Sequence, residues 1–319
     1  MNATLLEKLN AASANLPAWL DTLTLPENIP HGDMPGDKVL ITESHTEKAK
    51  KILPTLVQQM IEVLQQKNNQ RCVIGVCGGS GVGKSETASL LGWYLGQLGA
   101  PCYILSGDNY PHRIPQYNDA ERLRVFRDAG WKGLIAAGVN LAQVKENLYQ
   151  LMQQEKDADP ALCAEYPWLA TYQAAGRCGL KAYLGTPNET DFERVNGIIT
   201  QFQNGAQSIA LKRMGRQPEE LWAETVDFSK VEVLIIEWTH SNSDFLTGVD
   251  LPVLLNSTPE ETMEHRRQRN RDGKVDSPFT TMVLEIEQGL LTNQAHKAKI
   301  ILSKSCQLLS YSEFCAIMK

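Results

Sequence analysis

Between Gly78 and Ser85 the chain reads Gly-Gly-Ser-Gly-Val-Gly-Lys-Ser, which fits the pattern G-x-x-x-x-G-K-[ST]. Glycines let the backbone turn with several N–H groups aimed at one point. Such a nest, backed by the N-terminus of a following helix, binds the oxygens of a polyphosphate. Lys84 would reach the β- and γ-phosphates, and Ser85 would place its hydroxyl on Mg²⁺, an ion that takes oxygen ligands and keeps several waters. The pattern implies binding of ATP with Mg²⁺ by Gly78, Gly79, Ser80, Gly81, Val82, Gly83, Lys84, Ser85 and Glu86. No N-K-x-D guanine reader or D-x-x-G switch stands where a GTPase would need it.

Two acids follow apolar runs. Cys102–Leu105 leads into Ser106-Gly107-Asp108-Asn109-Tyr110, and Val231–Ile236 leads into Glu237-Trp238-Thr239-His240. A carboxylate at a strand end beside a phosphate loop can take the proton of an attacking hydroxyl or help orient Mg²⁺. Asp108 and Glu237 are therefore candidates for base and for metal ligand, with Ser85 the third metal candidate. An acid that caps a turn, or one solvated at a strand end, is the plain alternative for each. Further on, Thr258 as N-cap, Pro259 at the first helical position and Glu261 two residues later mark a helix start. His265, Arg266, Arg267, Arg269, Arg271 and Lys274 crowd the helix that follows, and Asp272-Gly273 interrupts them. Guanidiniums there could close over the phosphates as a lid, Arg267 on the transferring group and Arg271 on the nucleotide. A solvated basic face is the alternative.

Beyond Asp108, four arginines stand close together: Arg113, Arg122, Arg124 and Arg127. Arginine grips carboxylate and phosphate bidentately, so this grouping predicts an anionic acceptor, an acid or a sugar phosphate, with Tyr110 and Arg113 on the substrate. His112 and Tyr117 could line the same pocket, although loop aromatics more often pack.

These groups need a scaffold. Cys72–Val76 is a short apolar run bounded by glycine and reads as a buried strand before the phosphate loop; an amphipathic helix runs from Lys84 to near Gly99, and Cys102–Leu105 is the next strand. Val231–Ile236, Val253–Leu255 and Lys299–Leu302 read as further buried strands with helices between them. The alternation predicts an α/β fold, a P-loop NTPase-type parallel sheet with helices on both faces and ligands at the carboxyl ends of its strands. Residues 1–70 form a helical N-terminal extension: Leu5, Leu6 and Leu9 repeat at helical spacing, Pro26 to Gly36 is a loop, and a longer helix begins near Thr46 with Ile52, Leu53, Leu56, Ile61 and Leu64 on its inner face. This extension reads as a structural layer, with a regulatory role or a homodimer contact as the alternative. Residues 71–319 form the nucleotide-binding domain, whose long helical and loop insertion at about 111–230 builds a substrate-side lobe.

The phosphate loop, the Asp108 and Glu237 strand ends, and Val249-Asp250-Leu251-Pro252-Val253-Leu254-Leu255-Asn256 before an Arg-rich helix together resemble the phosphoribulokinase and uridine kinase-like family of P-loop kinases. The resemblance covers roughly 71–109 and 230–302. It extends weakly to Pro187-Asn188-Glu189-Thr190-Asp191-Phe192, and to Lys212 and Arg213, which look like the family's substrate-side basic residues. It implies that Asp108 acts as base, that Lys84 and Ser85 hold phosphate and Mg²⁺, and that Arg266–Arg271 is the lid. Asn109 departs from the pattern, since many members carry a second Asp there, and Trp238 replaces the usual Gly. The helical extension is more like that of the glycerate and pantothenate kinase branches.

The rest of the composition excludes other classes. With 31 Lys and Arg against 37 Asp and Glu, net charge −6, the chain has no global cationic field for nucleic acid. No apolar run is long enough for a membrane helix and the start lacks the order of a signal peptide, which predicts a cytoplasmic protein. The 7 cysteines are scattered without a C-x-x-C pair, and the histidines lack zinc spacing. The expected activity is transfer of the ATP γ-phosphoryl to an alcohol of a small metabolite: a sugar, sugar phosphate or hydroxy acid. The alternative is a nucleotide-binding regulatory protein with no small-molecule acceptor. Phosphorylated product separates the two.

Overall fold

The computed structural model describes residues 3–67, 70–269 and 277–318, and within 265–269 it describes the backbone alone. The elements in order are α1 (Leu5–Ser13), α2 (Leu16–Thr22), α3 (Glu43–Gln66), β1 (Cys72–Gly78), α4 (Lys84–Gln97), β2 (Cys102–Ser106), α5 (Pro115–Ala136), α6 (Leu141–Gln153), α7 (Pro167–Lys181), α8 (Phe192–Gln203), β3 (Ser208–Met214), β4 (Leu221–Asp227), β5 (Val233–Glu237), β6 (Leu251–Leu255), α9 (Pro259–Arg269), α10 (Pro278–Gln294), β7 (Ile300–Leu302), β8 (Leu308–Leu309) and α11 (Tyr311–Ile317).

Every residue of β1, β5, β6 and β7 is buried, as their unbroken apolar runs require of strands covered on both faces. The main sheet has the order β2-β5-β1-β6-β7-β8. All of its pairings are parallel except the last, where β8 returns antiparallel along β7. Register does the positioning. Glu237 lies opposite both Val76 on β1 and Ser106 on β2, so the phosphate loop and the two acid-bearing strand ends open at one level.

The expected helices cover both faces. On one, Leu5, Leu9, Leu16, Leu20, Ile52 and Leu56 of the N-terminal helices share a core with Ile74 of β1 and Leu91 of α4. Thr42 caps α3 with Glu43 in its first turn, earlier than the start expected at Thr46, because the first turn is polar and carries no apolar repeat. On the other face, α8 packs Phe192, Val195, Ile198 and Phe202 against Val73, Leu234 and Ile236.

The insertion corrects one expectation. Besides α5–α8 it contains an antiparallel hairpin of β3 and β4, paired from Ser208 opposite Asp227 to Met214 opposite Leu221. In β3 the burial alternates at Ile209 and Leu211, a period-2 pattern visible in the sequence. The helical lobe is held by close crossing of α5 and α7: a Cβ built on Gly133 would stand 2.2 Å from the Ala175 methyl. Asp157, almost fully buried, closes the lobe by binding Arg127 at 2.9 Å and the Tyr172 hydroxyl at 3.0 Å.

Candidate active site

The phosphate loop leaves β1 through Gly78 and enters α4 through Gly83, whose φ of +93° lies in the left-handed region that favours glycine. A Cβ on Gly78 would lie 2.6 Å from the Leu255 carbonyl, and one on Gly83 would lie 2.8 Å from the His45 ring, so these two glycines are needed for space as well as for turn geometry. The N-terminus of α4 faces the loop interior. Lys84 donates from Nζ to the Gly79 carbonyl at 3.2 Å. Buried Lys48 of α3 supports the loop from outside, donating to the Val82 carbonyl at 2.8 Å. Glu86, in the first turn of α4, is also buried, which turns it away from a purely solvent-exposed role.

Glu237 is 3% exposed, and both of its oxygens are occupied: Oε2 accepts from the Ser85 hydroxyl at 3.1 Å and Oε1 from the Ser106 hydroxyl at 2.8 Å. Burial, and then the negative charge of Asp108, push its carboxyl up to about 8, while Lys84 and the two hydroxyls oppose the rise. Asp108 stands on the short turn Gly107–Asn109 that follows β2 and, unlike Glu237, is exposed. The structure therefore brings Ser85, Lys84, Glu237 and Asp108 to one rim of the sheet. Hydroxyl and carboxylate oxygens are the donors Mg²⁺ takes, and a carboxylate held protonated by burial is a group that a divalent cation would ionise. Among the described residues no cluster of three or more His, Cys, Asp or Glu could hold a metal ion by itself.

A small, open cleft lies between the loop and α10, lined by Gly79, Ser80, Ser257, Thr262, Glu287 and Gln288 among others. Glu287 is paired with Arg122 at 3.7 Å, and burial pushes its carboxyl above the ordinary range. Arg122 in turn binds Glu189 at 2.6 Å. Glu189 also accepts from Asn118 Nδ2 at 3.1 Å and from the Gly185 N–H at 2.7 Å. Burial would raise the Glu189 carboxyl, but Arg122 and the Gly185 N–H outweigh it and hold the group below its ordinary value. Beside this cluster His240 is buried, and desolvation pushes its imidazolium down to about 4.

This arrangement overturns the basis for an anionic acceptor. Arg122 is taken by Glu189, Arg124 by Glu121 at 2.8 Å and Arg127 by Asp157, while Arg113 donates to the Tyr183 hydroxyl at 3.1 Å and lies 3.5 Å from Glu121. The grouping in sequence is a set of pairs within the chain, with Arg122 and Arg127 drawn in toward buried acids and Arg113 and Arg124 paired at the surface. Three other candidates for the substrate side serve the scaffold. The Tyr110 ring is fully buried in the core with Leu105, Phe192 and Trp238. Lys212 donates to the Pro111 carbonyl at 2.8 Å, and Arg213 is held by Asp33 at 2.7 Å and Glu224 at 3.0 Å. The side chain of Arg267 and the whole of Arg271 lie outside the described residues. Sequence reasoning missed Ser106, Lys48 and Glu287. Ser106 stands two residues before Asp108 at a strand end, where its hydroxyl was a readable signal; the other two carry none.

No family model matches the chain. It is 41% identical over 234 residues to the bifunctional alpha-galactosidase/sucrose kinase AgaSK of Mediterraneibacter gnavus, a match over 73% of this chain. The chain spans a fifth of that relative's length, 20%. Among solved structures it is similar to one described as a fructose transport system kinase from Silicibacter sp. TM1040, at 14% identity over 76% of this chain and 94% of that one, with a TM-score of 0.45. D-glycerate 3-kinase from Cryptococcus neoformans is similar at 10% identity over 82% of this chain and 97% of that one, with a TM-score of 0.44.

Proposed function

We propose that the chain is an ATP-dependent kinase that transfers the γ-phosphoryl group to an alcohol of a small neutral carbohydrate. The observation that carries the reading is the convergence of the phosphate loop, Ser85, Glu237 and Asp108 at the carboxyl ends of adjacent parallel strands. The relative named above carries a galactosidase and a sucrose kinase activity. A phosphate loop belongs to the chemistry of the second, since glycoside hydrolysis needs paired carboxylates and no nucleotide. Pairing of each of the insertion's four arginines with groups of the chain itself favours a neutral, hydroxyl-rich acceptor over a charged one.

The residues divide the work. Loop N–H groups and the α4 N-terminus would hold the phosphates, and the Lys84 ammonium would offset the negative charge of the β- and γ-phosphates. Ser85, Glu237 and Asp108 would hold Mg²⁺, which when bound neutralises charge on those oxygens. Asp108 accepts the proton of the acceptor hydroxyl and aligns its oxygen with phosphorus; the new P–O bond forms as the β,γ-bridging P–O bond breaks, with ADP leaving. Between the two acids Asp108 is the better base, because it is exposed whereas Glu237 is buried and accepts hydrogen bonds from two serine hydroxyls. Incubating the chain with ATP, Mg²⁺ and a panel of sucrose, hexoses, sugar phosphates, glycerate and nucleosides, with mass spectrometry of the products, tests this reading. A phosphorylated neutral sugar supports it, and an absence of any phosphorylated acceptor refutes it.

A further inference from the structure

We infer that Asp33, in the N-terminal extension, is a positioning residue for the Asp108 turn, so that the extension is part of the catalytic unit. This rests on the kinase reading for its consequence, though the geometry stands without it. The segment between α2 and α3 passes over the ends of β2 and β5. A Cβ built on Gly32 would lie 3.3 Å from Glu237 Oε1 and 3.5 Å from the Ser106 Cβ. The next residue, Asp33, turns its carboxylate inward and is nearly buried, with 10% of its side chain exposed.

Four donors meet that carboxylate. Oδ1 accepts from the Ser106 N–H at 2.8 Å and from Asn109 Nδ2 at 2.9 Å, while Oδ2 accepts from the Tyr103 hydroxyl at 2.8 Å and from Arg213 at 2.7 Å. Ser106 and Asn109 are the residues on either side of Gly107-Asp108. One carboxylate oxygen thus ties together both ends of the turn that presents Asp108. Asn109 is itself fixed from its other end, its Oδ1 accepting from the Met214 N–H at 3.0 Å.

This explains the departure at 109. A second acid there would place two carboxylates within hydrogen-bond distance in a buried setting, where both could not stay ionised. With Asn at 109 the amide donates to Asp33 and accepts from Met214, and every polar atom is matched.

The test compares wild type with Asp33→Asn in the full chain, by hydrogen exchange over 103–110 and by steady-state kinetics. In the variant the Ser106 and Asn109 donors lose their anionic acceptor, so exchange in this segment should rise roughly tenfold or more while protection in β1 and α7 stays unchanged. A turn displaced by even a fraction of an ångström should lower kcat by roughly 10-fold or more while leaving KM for ATP within about twofold. Glu232→Gln breaks the Lys8–Glu232 pair that docks α1 at the far end of the extension, and should leave kcat at the wild-type value. If Asp33→Asn does not fold, Asn109→Ser removes one donor and keeps the carboxylate, and it should show the same signature more weakly. Unchanged exchange over 103–110 overturns the inference, and so does faster exchange with unchanged kcat. If wild type phosphorylates no acceptor, the kinase reading fails, while the exchange measurement still decides whether Asp33 holds the turn.

Discussion

The Ser85 hydroxyl and the Glu237 carboxylate, 152 residues apart in sequence, meet at 3.1 Å at the floor of the phosphate site. This hydrogen bond joins the first residue after the loop lysine to the end of a strand beside β1, and parallel register produces it: Val76 and Glu237 are partners across the sheet. A serine that donates to a buried carboxylate is preset to share an ion with it. Glu237→Gln keeps the shape but turns one of the two acceptor oxygens into an amide donor, so that one serine hydroxyl must reverse, and the group can no longer ionise toward a cation. It should raise the Mg²⁺ concentration needed for half-maximal activity by roughly 10-fold or more, since hard divalent ions depend on ligand charge. The unfolding temperature should change little, because burial already holds the Glu237 carboxyl largely neutral without the ion and the amide is neutral too. A magnesium titration of activity alongside calorimetry measures both.

Lys84→Ala removes the ammonium group from the phosphates and leaves the loop backbone in place. Turnover should fall by roughly 10²-fold or more, the usual scale for removing an electrostatic partner of developing charge. Circular dichroism should be unchanged, because the Lys84 ammonium supports the fold through a single hydrogen bond, to the Gly79 carbonyl, among the described residues. Activity retained within twofold would remove the loop from the chemistry.

His240 gives stability a pH dependence of known sign. Its folded value of about 4 lies below the ordinary 6.5, with burial as the main cause. Between those values the unfolded chain binds a proton that the folded chain does not, so stability is intact above about pH 6.5 and is lost as the pH falls toward 4. At an interval of this size the loss is about 3 kcal/mol. Unfolding midpoints from pH 7.5 down to 4.5 should therefore drop more steeply in wild type than in His240→Gln. Parallel curves would show that His240 takes no part.

Much of the site could be read from the sequence because it is local. The phosphate loop is contiguous, and the runs before Asp108 and Glu237 carry the strand signal in a few neighbouring residues. What could not be read is held by pairings between distant positions. Arg122 looks like a free cation until Glu189 and Glu287 are placed beside it, 67 and 165 residues later. Asp33 lies in a loop of prolines and glycines whose sequence says only that it turns. The β3–β4 hairpin was legible in part, through the alternation of Ile209 and Leu211, but its second strand is exposed along nearly its whole length and offers no apolar pattern to find.

The most direct measurement is the stoichiometry of products, ADP and phosphorylated sugar, in wild type and in Asp108→Asn. Wild type with ATP, Mg²⁺ and a neutral sugar such as sucrose should form ADP and sugar phosphate one for one, followed by phosphorus NMR and mass spectrometry. Asp108→Asn keeps the side chain's shape but cannot take the acceptor's proton. It should lower kcat by roughly 10²- to 10⁴-fold while binding ATP almost as tightly. ADP accompanied only by inorganic phosphate, or an Asp108→Asn variant that phosphorylates the sugar at the wild-type rate, would contradict the assignment of this site to phosphoryl transfer onto a sugar hydroxyl with Asp108 as base.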